Sequence, residues 1–164
     1  MTLQTEFRNA MAQLGSAVSV ITTDGPAGKF GFTASAVCSV TDSPPTLLVC
    51  MNRNSFANEH FKQNGALCVN VLSSDHQHLS GVFANASLRS EQRFEYDSWQ
   101  VMASGAPVFS SSVASFDCLI DTCHEVGSHS VFYCQVQAIR ISEAPRGLVY
   151  FNRRYHAVGH DLEA

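Results

Sequence analysis

The chain has 164 residues, enough for one domain with a substantial core, and its composition excludes several classes of protein. Hydrophobic residues make up 45% and charged residues only 15%, so we expect part of the surface to contact a second copy in a homodimer. The formal net charge of −4 argues against nucleic acid binding, and no window reaches the roughly 18 apolar residues of a membrane span. Residues 1–6 lack a signal-peptide pattern, which predicts a cytoplasmic protein. The chain length predicts a single domain over residues 1–164.

The cysteines and histidines do not predict a metal site. The chain has six cysteines without a Cys-x-x-Cys pair, and in a reducing cytoplasm most are expected to be buried apolar residues in strands. His76 and His78 diverge on a helix, and Cys118 and Cys123 have no third and fourth ligand at a standard spacing. We therefore predict no metal ion.

The first third of the chain predicts a helix followed by an antiparallel hairpin. Residues Thr5–Leu14 carry apolar side chains at helical spacing, and Gly15 is placed to end the helix. Strands are expected at Ala17–Thr23 and Phe30–Val40, joined by the turn residues 24–28. These glycines do not form a phosphate loop or a dinucleotide-binding fingerprint, so a Rossmann site is excluded.

A stripe of hydroxyl side chains follows the second of these strands. Thr33, Ser35, Ser39 and Thr41 are spaced so that an extended chain would place them on one face. The segment 42–45 contains two prolines and predicts a turn into another strand that ends at Asn52. The stripe is either a solvent-exposed face or part of a binding site, and its pattern does not distinguish the two.

The remainder of the chain alternates short helices and strands. Ser55 is a plausible N-cap for a helix over Phe56–Asn64, with Gly65 at its end. The further predicted elements are a strand at Ala66–Leu72, a helix from Ser73 to Phe83, a long connection over Asn85–Ser98, and strands at Ser115–Val126, Ser130–Ile141 and Gly147–Tyr155. The prediction is a mainly β domain of six or seven strands with two or three short helices.

Three segments together resemble the flavin reductase family. They are residues 31–55, Gly127-Ser128-His129, which resembles the family's Gly-x-His, and residues 147–156, within a similarity that extends from Phe7 to His156. The resemblance implies a Greek-key split β-barrel in which NADH or NADPH reduces FMN or FAD by hydride transfer. It also implies that the reduced flavin diffuses to a separate monooxygenase.

The same resemblance implies roles for individual residues. Those expected to bind the flavin are Thr33, Ala34 and Ser35 at the ring, Ser39 and Val40 further along the strand, Asn52, Asn54 and Ser55 at the ribityl phosphate, and Phe83, Ala84 and Arg89 beside it. His129 is expected to contact the nicotinamide, the alternative being a purely structural hydrogen bond. Tyr155 and His156 are second candidates for stacking on the cofactors, the alternative being edge-strand aromatic residues.

The likeness is strongest to the reductases of pyrimidine-degradation monooxygenase systems and nearly as strong to the reductase of 4-hydroxyphenylacetate 3-monooxygenase. Two other functions remain open from the residues. One is a flavin- or haem-binding barrel without turnover, and the other is a pyridoxamine-phosphate oxidase-like enzyme that holds FMN permanently. The residues do not distinguish FMN from FAD, or NADH from NADPH.

Overall fold

A seven-stranded antiparallel sheet forms the body of the computed structural model, which describes residues 1–143 and 145–159. The strands of the described residues are β1 (Ser16–Ala17), β2 (Ser19–Thr23), β3 (Phe30–Ala34), β4 (Val37–Asp42), β5 (Pro45–Asn52), β6 (Ala66–Val71), β7 (Trp99–Val101), β8 (Pro107–Phe109), β9 (Ala114–Val126), β10 (His129–Ile141), β11 (Gly147–Phe151) and β12 (Arg154–Val158). The helices are α1 (Leu3–Met11), α2 (Asn58–Asn64), α3 (Gln77–Ala84) and α4 (Ser90–Arg93), with a 3-10 turn at Ser74–His76.

The strand order of the large sheet is β3-β2-β6-β9-β10-β5-β4. The first and last strands, β3 and β4, are joined in the chain by only Ser35 and Ala36. Three residue steps from Ala34 to Val37 reach at most about 11 Å, so the sheet must curl until its two edges meet. This arrangement, with its few short helices, confirms the predicted mainly β, split-barrel fold.

The predicted single strand over Phe30–Val40 is wrong, because the chain leaves one edge of the sheet and joins the other at Ser35 and Ala36. Thr33 therefore lies in β3, whereas Ser39 and Thr41 lie in β4, where the pairing with β5 shifts between them. The hydroxyl side chains do not form one continuous face, and only part of the stripe can reach a common site.

Two apolar clusters cover the two faces of the sheet. One contains Ile21, Met51, Phe61 and Phe132, all essentially inaccessible to solvent. The other contains Val20, Leu79, Phe83 and Phe109, and it packs α3 against the sheet. Neighbouring residues Val20 and Ile21 belong to different clusters, because successive side chains of a strand point to opposite faces. Strand β2 is thus buried on both sides.

The helix boundaries differ in part from those predicted. Helix α1 ends at Met11, before Gly15, and none of its residues is buried. Helix α2 begins at Asn58 behind Ala57, without a side-chain cap, so the prediction that Ser55 caps it is wrong. Gly65 ends α2 in the left-handed conformation (φ 66°), as expected.

The predicted last strand, Gly147–Tyr155, is instead the hairpin β11–β12. Its turn is formed by Asn152 (φ 47°) and Arg153 (φ 59°), neither of which is a glycine. The Asn152 amide donates to the Ala12 carbonyl at 2.6 Å, and Arg153 donates to Asn9 Oδ1 at 2.7 Å. The hairpin turn therefore anchors α1 to the body of the protein.

Three of the six cysteines, Cys68, Cys118 and Cys134, are buried as predicted. Burial raises the pKa of the Cys118 thiol to about 12, which keeps it protonated and unreactive. Cys38 and Cys123 are exposed, so the expectation of a buried position is wrong for them.

Within residues 1–143 and 145–159, no helix combines the length and apolar character needed to cross a bilayer. The same residues contain no group of three His, Cys, Asp or Glu side chains arranged to hold a metal ion.

Candidate active site

A cleft of about 780 Å³, here called the main cleft, opens beside β3 between the loop before α2 and the loop after α3. Phe30, Phe32 and Phe56 supply apolar rings to its lining. The polar residues that line it include Asn54, Ser55, Ser87, Arg89, Ser90 and Arg93. The volume lies within the range of about 300–1,000 Å³ that is typical of small-molecule sites. Aromatic rings combined with hydroxyl, amide and guanidinium donors suit a planar aromatic ligand that carries a phosphate.

Arg93 fixes one wall of the main cleft. Its Nη1 donates to the carbonyl of Gly31 at 2.9 Å and to that of Phe83 at 3.1 Å, and its Nη2 donates to that of Asn85 at 2.9 Å. A second bond, from the Ser90 hydroxyl to the Lys29 carbonyl, joins α4 to the start of β3. The loop after α3 is therefore tied to the strand it faces. Burial lowers the pKa of the Arg93 guanidinium.

A smaller cleft of about 160 Å³ lies at the other end of β3 and is lined by Thr33, Ala34 and Ser35. Thr33 Oγ1 donates to the Ser80 carbonyl of α3 at 2.7 Å. The Ser80 hydroxyl is 2.7 Å from the Tyr155 hydroxyl, which brings the β11–β12 hairpin to the same place. Three elements that are distant in sequence thus meet at the predicted ring-binding residues.

A polar cleft of about 390 Å³ lies on the other side of Asn54, which also lines the main cleft. Beside it, the Glu125 carboxylate is 2.5 Å from Arg53 Nε and 2.9 Å from Lys62 Nζ, and it accepts the Ser130 hydroxyl at 2.9 Å. The hydrogen bonds from Lys62 and then from Ser130 lower the pKa of Glu125 to about 2. Glu125 is therefore ionised throughout the physiological pH range.

The turn that carries His129 is attached to the loop before α2. The Arg53 amide donates to the Ser128 carbonyl at 2.9 Å, and Arg53 Nη1 donates to the Gly127 carbonyl at 3.2 Å. His129 is exposed at the start of β10, where it pairs with Asn52, and its Nδ1 is 2.9 Å from the Ser128 hydroxyl. The predicted phosphate-binding segment and the predicted nicotinamide contact are thus neighbours.

The structure does not bring every predicted site residue to these clefts. Ser39 and Val40 are exposed on β4, outside the linings of all three. The Phe83 side chain is only 1% exposed and packs in the core, so the prediction that it flanks a flavin does not hold for its ring. Ala84 is exposed and lines none of these three clefts. His156 bonds to the Phe151 carbonyl at 3.3 Å, within its own hairpin.

Several residues of these clefts were not predicted from the sequence. Ser80 and Arg93 connect elements, while Lys62 and Glu125 form an ion pair that spans 63 positions of the chain. Phe30 and Phe56 also line the main cleft. Only the exposed Phe56, directly after Asn54-Ser55, carried a sequence signal, because an aromatic residue in a polar loop is unusual.

The family model described as the flavin reductase like domain matches residues 11–159. A protein of Serratia proteamaculans named FMN reductase (NADH) RutF is 52% identical over 153 residues, covering 93% of this chain and 87% of its own. A protein of the same name from Cronobacter sakazakii is 50% identical over 158 residues, covering 96% of this chain and 95% of its own.

Solved structures of flavin reductases are also similar to this chain. A Haemophilus somnus protein, 47% identical, superposes with a TM-score of 0.92 over 96% of this chain and 100% of its own. The NADH:FAD oxidoreductase SgcE6 of Streptomyces globisporus, in complex with NAD and FAD fragments, is 25% identical with a TM-score of 0.89 over 98% of this chain and 96% of its own. The flavin reductase PheA2 is 29% identical with a TM-score of 0.85 over 98% of this chain and 100% of its own.

Proposed function

This chain belongs to the flavin reductase family, and we propose that its adjoining clefts hold FMN and NADH side by side for hydride transfer. It is an NAD(P)H-dependent flavin reductase. We propose that it supplies reduced flavin to a separate oxygenase, because it is 27% identical, with a TM-score of 0.86, to nitrilotriacetate monooxygenase component B of Mycobacterium thermoresistibile. We propose FMN and NADH as the preferred pair because the relatives that are 52% and 50% identical are named FMN reductase (NADH). The names of these relatives favour an enzyme over the alternative of a flavin- or haem-binding barrel without activity.

The observation that carries this proposal is that β3 lines two clefts, the main cleft through Phe30, Gly31 and Phe32 and the smaller cleft through Thr33 and Ala34. The smaller cleft presents Thr33, Ala34 and Ser35, and the main cleft presents Ser55 and Arg89. We propose that the first set contacts the flavin ring and that the second, with Asn54, binds the phosphate. Hydroxyl, amide and guanidinium groups of this strand and these loops are donors of the kind that a phosphate-bearing aromatic ligand requires, and Glu91 is the one acidic residue in the lining of the main cleft.

When bound, the flavin accepts a hydride from NADH, and the protein's task is chiefly to position the two rings and to stabilise developing negative charge. We propose that His129 orients the nicotinamide, since it lies on the turn fixed by Arg53. Tyr155, held by Ser80, is proposed to cover the ring end of the site. Ser39, Val40, Ala84 and His156 have no role in this proposal, and the pairing of Asn52 with His129 gives Asn52 a supporting one.

The placement of the phosphate is tested by Ser55→Ala. Loss of a hydrogen bond to a charged group weakens binding by about 1.5–3 kcal/mol, so the FMN dissociation constant should rise at least about tenfold. Ser111→Ala is the matched control, because Ser111 is exposed and lines none of the three clefts. Fluorescence titration measures the FMN dissociation constant of each variant. Unchanged FMN affinity in both Ser35→Ala and Ser55→Ala would contradict the placement.

Turnover and flavin retention are tested together. Purified protein with NADH and FMN should consume NADH in air, seen as falling absorbance at 340 nm, and should lose its flavin on dialysis. A yellow protein that keeps FMN through dialysis would instead indicate the pyridoxamine-phosphate oxidase-like alternative.

We further propose that the oxygenase served is that of pyrimidine degradation. The resemblance carried by the sequence and the name RutF of the relatives support this pathway. The test is reconstitution, in which uracil oxidation by a pyrimidine oxygenase should depend on this protein, FMN and NADH. Support of 4-hydroxyphenylacetate hydroxylation alone would assign the protein to the alternative system.

A further inference from the structure

Phe56 is the feature of the site that the proposed flavin contacts leave unexplained. Its side chain is 81% exposed, although it lines the main cleft and follows Ser55 directly. Burial of large aromatic side chains is strongly favoured in a soluble protein, so a phenylalanine held in the open beside a ligand site requires a reason.

Phe56 is not a loose side chain, because two other rings support it. The His60 ring of α2 lies 4.9 Å from the Phe56 ring, and its Nδ1 is 3.0 Å from the Phe56 carbonyl. The Phe30 ring of β3 lies 4.0 Å from the His60 ring and 6.1 Å from the Phe56 ring. Phe30, His60 and Phe56, here called the aromatic platform, thus form a supported group beside the main cleft, which Phe30 and Phe56 line.

We propose that the aromatic platform stacks the adenine ring of a dinucleotide. This inference rests on the proposed function, which puts a phosphate at Ser55. In a dinucleotide the adenosine follows the diphosphate, so a ring surface one residue beyond the phosphate position is suitably placed. Every purine has an apolar face that stacks on aromatic side chains, and Arg89 in the same cleft supplies positive charge for the diphosphate.

Both FAD and NADH carry an adenine, and Phe56→Ala distinguishes the two sources. Base stacking on an aromatic ring changes binding by about tenfold or more. If the adenine belongs to FAD, the variant should lose about tenfold in FAD affinity while FMN affinity stays unchanged. If it belongs to NADH, the NADH KM measured with FMN should rise about tenfold, while the KM for reduced nicotinamide mononucleotide stays unchanged. Either result supports the proposal for the aromatic platform. Phe56→Tyr, which keeps an aromatic ring, should have the wild-type FAD affinity and the wild-type NADH KM.

The proposal would be overturned if Phe56→Ala lowered FMN and FAD affinity equally and also raised the KM of NADH and of reduced nicotinamide mononucleotide equally. It would also be overturned if none of these four quantities changed. A change in oligomeric state on sedimentation would also overturn it, because the platform would then be covered by a second copy. Ile141→Ala is the control, since Ile141 is 74% exposed and lines none of the clefts. Failure of the wild-type protein to bind FMN or oxidise NADH would refute the proposed function itself, and thus separates the two failures.

Discussion

Glu125 joins three elements through one carboxylate, since it contacts Arg53, Lys62 of α2 and Ser130 of β10. Its folded-state pKa of about 2 lies below the ordinary value of 4.5, so the ionised form is favoured by folding. The stability that it contributes is present above about pH 4.5 and is lost as the pH falls toward 2. We expect Glu125→Gln to remove the part of the pH dependence of the free energy of unfolding that arises from this carboxylate.

The measurement is the free energy of unfolding from urea titrations between pH 2 and pH 6. Glu59→Gln is the matched control, because Glu59 also contacts Lys62, at 3.0 Å, but its side chain is 72% exposed and solvent screens the pair. An unchanged slope of stability against pH in Glu125→Gln would contradict the assigned role.

For His129 the expected effect is kinetic. His129→Ala should raise the NADH KM or slow hydride transfer while leaving FMN affinity nearly intact, because the proposed flavin contacts come from residues 33–35, 54–55 and 89. The exposed bond to Ser128 contributes little to folding, so the stability change should be within about 0.5 kcal/mol. Stopped-flow reduction beside a melting curve measures both, with His124→Ala, an exposed histidine on β9, as control. A destabilised His129→Ala with wild-type kinetics would remove His129 from the active site.

The resemblance of short segments to the family singles out Thr33, Ser35, Ser55 and His129. In the structure, Thr33 and Ser35 line the smaller cleft and Ser55 lines the main cleft. The resemblance could not identify Arg93, which acts through three backbone carbonyls. Such a contact leaves no pattern in the sequence, because any carbonyl can accept a hydrogen bond.

At the scale of elements, β3 and α3 pack closely against each other at Gly31. A Cβ added at Gly31 would lie 2.6 Å from Phe83 Cε1 and 3.2 Å from the Ile21 carbonyl. Gly31→Ala must therefore displace a buried ring and should destabilise the protein by about 1–3 kcal/mol. Because α3 carries Ser80, the displacement should also weaken flavin binding.

Gly81→Ala is the matched control within α3. Outside the backbone of its own helix and its two chain neighbours, no atom lies within 4 Å of an added Cβ at Gly81. Alanine favours a helix by up to about 1 kcal/mol over glycine, so this variant should be at least as stable as the wild type. Urea denaturation measures both variants. Wild-type stability in Gly31→Ala would show that β3 and α3 are packed less tightly than described.

Alternation and turn residues predicted most strands, but two errors share a physical cause. The break at Ser35 and Ala36 and the turn at Asn152 and Arg153 contain neither glycine nor proline. Both bends are imposed by tertiary pairing, the first by β5 and the second by contacts with α1. Local propensity is overruled in such cases, so a single sequence extends the strand through the bend.

At the scale of the whole molecule, α1 and the turn that follows it present an uncovered apolar face. Leu3 is 81% exposed, Phe7 62%, Met11 46% and Leu14 58%, although they follow the helical spacing expected of a buried stripe. We propose that a second copy of the chain covers this face, in the homodimer that the composition predicts. Phe7→Glu should then shift the protein toward monomer.

Sedimentation velocity over a range of protein concentrations measures this shift. Thr5→Glu adds the same charge on the opposite side of α1 and should leave the association unchanged. A wild-type protein that is monomeric, or a Phe7→Glu variant that remains dimeric, would contradict the assignment of this face.

The short connection between β3 and β4 has one more consequence. A sheet edge exposes unpaired amide and carbonyl groups, which are templates for adding strands of other chains and for aggregation. Here Ser35 and Ala36 tether the two outermost strands of the large sheet to each other, so neither edge can swing free while the connection is intact. The connection, which contains the proposed ring-binding residue Ser35, therefore also protects the protein from misassembly. A proteolytic cut at Ser35 or Ala36 would release the two sheet edges from each other.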